Sequence, residues 1–144
     1  MKNILVAIDF GDEEELIVQK AIEIGVKFKS KIWIIHAAAP DPDFVSFDAG
    51  PQSVRDDRAK TLHEENKIIG LLTDKVKAEG LDATGLLIQG STIELILKES
   101  EKLKADLIII GHKKLGFFEK FIKGSVSSGI LQNSKIPIMV IPID

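Results

Sequence analysis

Cysteine is absent from the 144 residues, which removes disulfide scaffolding, thiolate catalysis and every cysteine-based metal site, and is compatible with a reducing compartment. The fold must stand on packing alone. A basic excess is missing as well: 19 Lys and Arg stand against 22 Asp and Glu, a net charge of −3. A phosphate-backbone binder carries the opposite balance, so no nucleic acid partner is expected. No apolar run approaches the roughly 18 residues that cross a bilayer. The opening MKNILVAID meets charge at Asp9 after a very short apolar run, without the longer apolar region of a secretory leader. The expectation is a soluble, cytoplasmic protein with no membrane partner. Two nucleotide fingerprints are also lacking, G-x-G-x-x-G and G-x-x-x-x-G-K-[ST], which argues against a dehydrogenase and a P-loop phosphotransferase. Nor is there a G-x-S-x-G elbow that the three histidines could serve.

What is present is a patterned chain. With 44% hydrophobic and 28% charged residues, the length fits one compact domain over residues 1–144. Five short apolar runs recur, Ile4 to Ile8, Ile32 to Ala37, Ala83 to Ile88, Leu107 to Ile110 and Ile138 to Ile143. None alternates polar with apolar, so each reads as a strand buried on both faces of a parallel sheet. Helical spacing fills the gaps between them. After Asp12, a fair N-cap, Leu16, Ile17, Ala21, Ile24 and Phe28 fall on one face, with Glu13, Glu14, Glu15 and Glu23 outside. A second, highly charged helix is expected from Val54 to Glu79, burying Leu62, Ile69, Leu72 and Val76 and stopping at Gly80. A third runs from Ile93 to Leu103 after the Gly90, Ser91, Thr92 turn, and a short fourth from Ser125 to Gln132. Five strands alternating with four helices predict an α/β fold, an open doubly wound parallel sheet with helices on both faces.

Such sheets hold ligands beyond the carboxyl ends of the strands, where strand order reverses. Two positions qualify. Asp9 follows the first strand, where a carboxylate either accepts hydrogen bonds from a ribose or base or closes a turn. Gly111 and His112 follow the fourth, and downstream Gly124 and Ser125 open a helix whose first amides, on Ser125, Val126 and Ser127, either bind an anion or are simply capped. His63, beside Glu64 and Glu65, reads as a solvated helix face. His36 is placed at a strand end and His112 in the glycine loop; with Asp9 they offer a conceivable metal set that nothing in the spacing requires, so no metal is expected. The irregular stretch from Ala38 to Ser53, with Pro40, Pro42, Gly50 and Pro51, is longer than most connections and reads as a lid, a partner surface or a mobile loop.

Taken together, ILVAID, the Ile35-His36 ending, ADLIIIGHKKLG and GSVSSGILQNSKIPIMVIP resemble the universal stress protein family, in order and over nearly the whole chain. The resemblance implies a Rossmann-like five-stranded sheet of order 3-2-1-4-5 and, in many members, ATP bound between strands one and four. It further implies the motif G-x2-G-x9-G-[ST], met here by Gly111, Gly124 and Ser125, with Lys114 in place of the middle glycine. A lysine there either blocks the pocket or offers a cation to phosphate; Gly116 stands two residues on. By the same resemblance Asp9 contacts adenine or ribose, Ala37 lies beside the base, and Ser125, Val126 and Ser127 hold phosphates. The Gly90 turn matches the family's G-x-P turn without its proline.

Two functions follow from this reading. One is a dimeric module that binds ATP or AMP, with or without Mg2+, in the stress response. The other is a stress-response interaction protein with an altered pocket that binds no nucleotide. A slow ATPase ranks third, because anchors for adenine and phosphate are clearer than any catalytic base, and no catalytic residue is assigned. Assembly is expected through Ile136 to Ile143, an apolar edge strand able to pair with a second copy about a twofold axis, as the resemblance also implies.

Overall fold

The computed structural model describes residues 1–9, 13–38, 52–113 and 126–143. Strands and helices alternate: β1 (Asn3–Ala7), α1 (Glu14–Phe28), β2 (Lys31–Ala38), α2 (Gln52–Ala78), β3 (Ala83–Gln89), α3 (Thr92–Lys102), β4 (Leu107–Lys113), α4 (Val126–Asn133) and β5 (Ile138–Ile143). The strands form one sheet in the order β3-β2-β1-β4-β5, with every pairing parallel. This is the expected α/β, Rossmann-like fold.

The core divides along the two faces of the sheet. Ile4, Val6, Ile32, Ile34, Leu107 and Ile109 meet α1 and α2 through Ile17, Val18, Ile69 and Val76. Leu5, Ile35, Ile108 and Ile110 meet α3 and α4 through Ile96 and Ile130. Successive side chains on a strand leave opposite faces, which is why unbroken apolar runs were needed. Gly85 marks how closely α2 lies on β3. A Cβ there would come within 2.2 Å of Ile69 Cγ2 and 2.9 Å of Thr73 Oγ1.

Several boundaries and faces differ from the sequence expectations. The inner stripe of α1 is Ile17, Val18, Ala21, Ile22 and Gly25, so Leu16 and Phe28 point outward, 40% and 55% exposed. Apolar residues on both sides of the stripe had blurred its centre. Its N-cap is Glu13, without a side-chain hydrogen bond, and Asp12 lies outside the described residues. In α2, which starts at Gln52, Ile69, Leu72 and Val76 are buried while Leu62 is only half-buried; Gly80 follows the helix with φ +81°, a left-handed turn that suits glycine. Pro40, Pro42, Gly50 and Pro51 lie outside the described residues. The largest correction concerns β4. It runs three residues past Ile110, because β5 continues to pair alongside it, Gly111 with Ile141, His112 with Pro142 and Lys113 with Ile143. His112 is therefore a strand residue, and His36 lies within β2 rather than at its end.

Among the described residues β5 is one edge of the sheet. The Ile108 amide donates to the Pro137 carbonyl at 2.9 Å, and backbone groups alternate sides along a strand, so Met139, Ile141 and Ile143 turn theirs toward β4. Ile138, Val140 and Pro142 turn outward. Pro142, which has no N–H, thus occupies a position where no internal ladder bond is lost.

The amino ends of the strands are tied together by Asp106. Its carboxylate accepts the Lys2 amide at 2.7 Å and the Asn3 amide at 3.0 Å, joining β1 to the start of β4. Nearby, Trp33 Nε1 donates to Asn3 Oδ1 at 3.1 Å, and Lys31 Nζ sits 4.0 Å from the centre of the Trp33 ring, a cation–π contact. The amides of Asn3 and then Lys2 hold the Asp106 carboxyl below the usual carboxylate range. A depressed folded-state value means stability present above the ordinary carboxylate pKa and lost as pH falls through the folded one. Asp106→Asn is expected to lower the Tm by about 1 to 2 °C at neutral pH, the modest effect of an exposed group. The gap between variant and wild type should close in acid when the two are compared by thermal melts from pH 7 downward.

Candidate functional site

β1 is hydrogen-bonded to β2 on one side and β4 on the other, so the crossovers leaving its two neighbours diverge to opposite faces. A crevice opens where they part, beyond the carboxyl end of β1. The Ile8 amide still bonds to the Ile35 carbonyl at 3.0 Å; Asp9, exposed, follows at the mouth. The crevice is lined by Asp9, Ala37 of β2, Thr92 at the start of α3, Gly111 of β4, and Val126 and Ser127 at the start of α4. Five residues singled out from sequence, Asp9, Ala37, Gly111, Val126 and Ser127, are thus brought together. Lys114, Gly116, Gly124 and Ser125 lie outside the described residues.

Gly111 has a reason to be glycine apart from any ligand. A Cβ would fall 2.3 Å from Ile143 Cδ1 and 2.6 Å from Ile17 Cδ1, two residues that are themselves buried. Side-chain space at Gly111 is taken by α1 and β5, while its backbone faces the crevice. By alternation the neighbouring His112 projects from the other face, toward α4, and its Nδ1 lies 2.6 Å from Ser127 Oγ. That pairing had no signal in the sequence. The two residues are 15 apart, and only the length of β4 and the approach of α4 make them meet.

His36 projects toward α2. Its Nδ1 lies 2.8 Å from the Ile8 carbonyl, and since a carbonyl only accepts, Nδ1 carries the proton. Nε2 then faces Glu65 Oε2 of α2 at 3.9 Å. His36 and His112 leave opposite faces of the sheet, so the conceivable set of Asp9, His36 and His112 does not converge. Among the described residues no group of three or more His, Asp or Glu is placed to hold a metal ion.

The model of the universal stress protein family matches residues 1–142. The chain belongs to the universal stress protein family. A universal stress protein from Thermus aquaticus, encoded in the 3' region of a QAH/OAS sulfhydrylase gene, is 27% identical, with 97% of this chain and 98% of that protein covered. Among solved structures, a universal stress protein in complex with cAMP superposes with a TM-score of 0.73 at 19% identity, covering 98% of this chain and 96% of the other. An Arabidopsis thaliana universal stress protein family member with AMP bound superposes with a TM-score of 0.66 at 17% identity, covering 100% and 93%. At these identities the two structures establish the shared fold. No helix among the described residues is long and apolar enough to cross a membrane.

The packing at Gly111 leads to a test that needs no ligand. Gly111→Val is expected to lower stability by about 1 to 3 kcal/mol, the range for overpacking a well-filled interior, as read from urea unfolding. An unchanged midpoint would show that Ile17 and Ile143 yield easily and that the glycine is kept for other reasons.

Proposed function

We propose that this universal stress protein is a homodimeric, cytoplasmic module of the stress response, a single domain that binds an adenine nucleotide, ATP or AMP, in the crevice at the end of β1. The observation that carries this reading is the convergence of Asp9, Ala37, Gly111, Val126 and Ser127 on one crevice at the switch point between β1 and β4. Asp9 supplies a carboxylate for ribose or base. Ala37 leaves room beside β2 for a flat ring. The start of α4 supplies backbone amides and the Ser127 hydroxyl for phosphate, continuing what Gly124 and Ser125 begin in sequence. The bound cAMP and AMP of the two structural neighbours support the same ligand class. Lys114 favours a second reading, an interaction protein whose pocket binds no nucleotide, because a side chain stands where the family motif has glycine.

Thermal unfolding separates the two. ATP or AMP at a hundredfold excess over Kd stabilises by about 2.7 kcal/mol, which raises the Tm by about 5 to 10 °C. A midpoint unmoved by millimolar ATP and AMP, with and without magnesium, selects the nucleotide-free reading. Lys114→Gly is expected to tighten binding by relieving obstruction. Weaker binding with a reduced salt dependence would instead place the ammonium on phosphate.

Dimerisation is proposed through the outer edge of β5, part of the apolar segment Ile136 to Ile143. Its outward donors are Ile138 and Val140, and Met139 beside them is 37% exposed. Antiparallel pairing about a twofold axis near Val140 would satisfy these groups and leave Pro142 to accept only. Val140→Pro removes an outward donor and no bond to β4, so it is expected to give a folded monomer by light scattering. A wild-type chain that stays monomeric at tens of micromolar overturns the dimer.

A further inference from the structure

We infer that His36 is a positioning residue of the nucleotide site, its imidazole holding the end of β1 so that the Asp9 carboxylate is presented to the ligand. The inference rests on the nucleotide reading of the crevice and gives a function to a side chain which that reading leaves aside. Its basis is the way β1 ends. Pairing with β2 stops at Ala7 opposite Ile35, and the Ile8 amide then bonds to the Ile35 carbonyl at 3.0 Å. Beyond that point a side chain takes over: His36 Nδ1 lies 2.8 Å from the Ile8 carbonyl and donates to it. A peptide unit is planar, so a carbonyl held in place also fixes the amide plane it shares with the following residue. That residue is Asp9. The ring therefore sets the direction in which Asp9 leaves the sheet, and it does so from within the crevice, which Ile8, Asp9 and His36 all line.

The ring is itself placed by packing. Ile69 of α2 rests on Gly85 of β3, where a Cβ would come within 2.2 Å of Ile69 Cγ2, and Gly85 is level with Ile34 of β2. Glu65 stands one turn back along α2, about 5.4 Å, and His36 two residues on along β2, about 6.6 Å. A helix that connects parallel neighbours runs against the strands, so the two steps point the same way and bring Glu65 Oε2 to 3.9 Å from His36 Nε2. At that distance Glu65 makes no hydrogen bond that would draw the proton away from Nδ1; it backs the ring. The imidazole is only 13% exposed, which leaves it little room to swing off the carbonyl.

A histidine that merely filled the space between β2 and α2 would be replaceable by any ring of its size. One that positions Asp9 is replaceable only by a group with a donor where Nδ1 stands.

Calorimetric titration of the full chain and its variants, with ATP and with AMP, separates these roles. His36→Phe keeps a ring and removes the donor, and is expected to weaken nucleotide binding about tenfold, the affinity equivalent of a buried carbonyl left without its partner. His36→Asn, whose amide nitrogen stands where Nδ1 does, should stay within about threefold of wild type. His36→Gln, whose amide nitrogen stands where Nε2 does, should lose affinity as the phenylalanine variant does. This pair of amides carries the test where His36→Phe fails to fold. On top of Asp9→Ala, His36→Phe should cost no further affinity, because the histidine acts through the aspartate. In the chain without nucleotide, the 15N chemical shifts of the His36 ring should report a proton on Nδ1. Wild-type affinity in His36→Phe, equal losses in the asparagine and glutamine variants, additive losses with Asp9→Ala, or an Nδ1 without a proton each overturn this inference alone. A wild-type chain that binds neither ATP nor AMP overturns the nucleotide reading and this inference together.

Discussion

Leu5 and Val6 have no exposed surface, and the rest of the structure depends on keeping them so. They form the middle of β1, the strand with a hydrogen-bonded neighbour on each side. A strand in that position must be covered above and below, which requires helices on both faces and crossovers that leave in opposite directions. The crevice is the geometric residue of that requirement. Because helices cannot cover the place where the crossovers part, a crevice is left beyond the carboxyl end of β1, and the proposed nucleotide site lies there.

The same constraint explains what could be read from the chain. A doubly covered parallel sheet demands strands without polar alternation, and runs such as Ile32 to Ala37 and Leu107 to Ile110 carried that signature, so sheet type was legible from the residues, whereas strand order came only through the resemblance to the family. Ends of elements were less so. α1 stops at Lys29 with a left-handed φ of 54°, a role that local sequence assigns to glycine or asparagine. β4 extends past Ile110 only because β5 lies beside it, and long-range pairing of this kind leaves no local mark. The face of α1 was misplaced at Leu16 and Phe28 for a related reason: apolar side chains on an exposed face look the same, in a string of letters, as those inside.

The candidate site shows the same division. Asp9 and Ser127 were legible through position, one after a strand and one opening a helix, and Gly111 through a motif spacing. What spacing left out was the second duty of Gly111, as a gap that Ile17 and Ile143 fill. A residue can be glycine for what stands behind it as well as for what approaches in front, and only coordinates separate the two. His112 was read as a loop residue and had no assigned partner, since strand alternation decides which wall it joins. His36 was likewise named without its neighbours, the Ile8 carbonyl and Glu65.

Trp33, the single tryptophan of the chain, is bound to Asn3 and roofed by Lys31 near the amino end of β2. Ala37 lies four residues further along the strand, its Cα about 13 Å from that of Trp33 at the usual rise per residue. Its fluorescence is therefore governed by the sheet's closed end, by the ammonium over its ring and the amide on its nitrogen. Emission from this indole should follow the melting of the sheet, giving the protein a built-in optical gauge of folding.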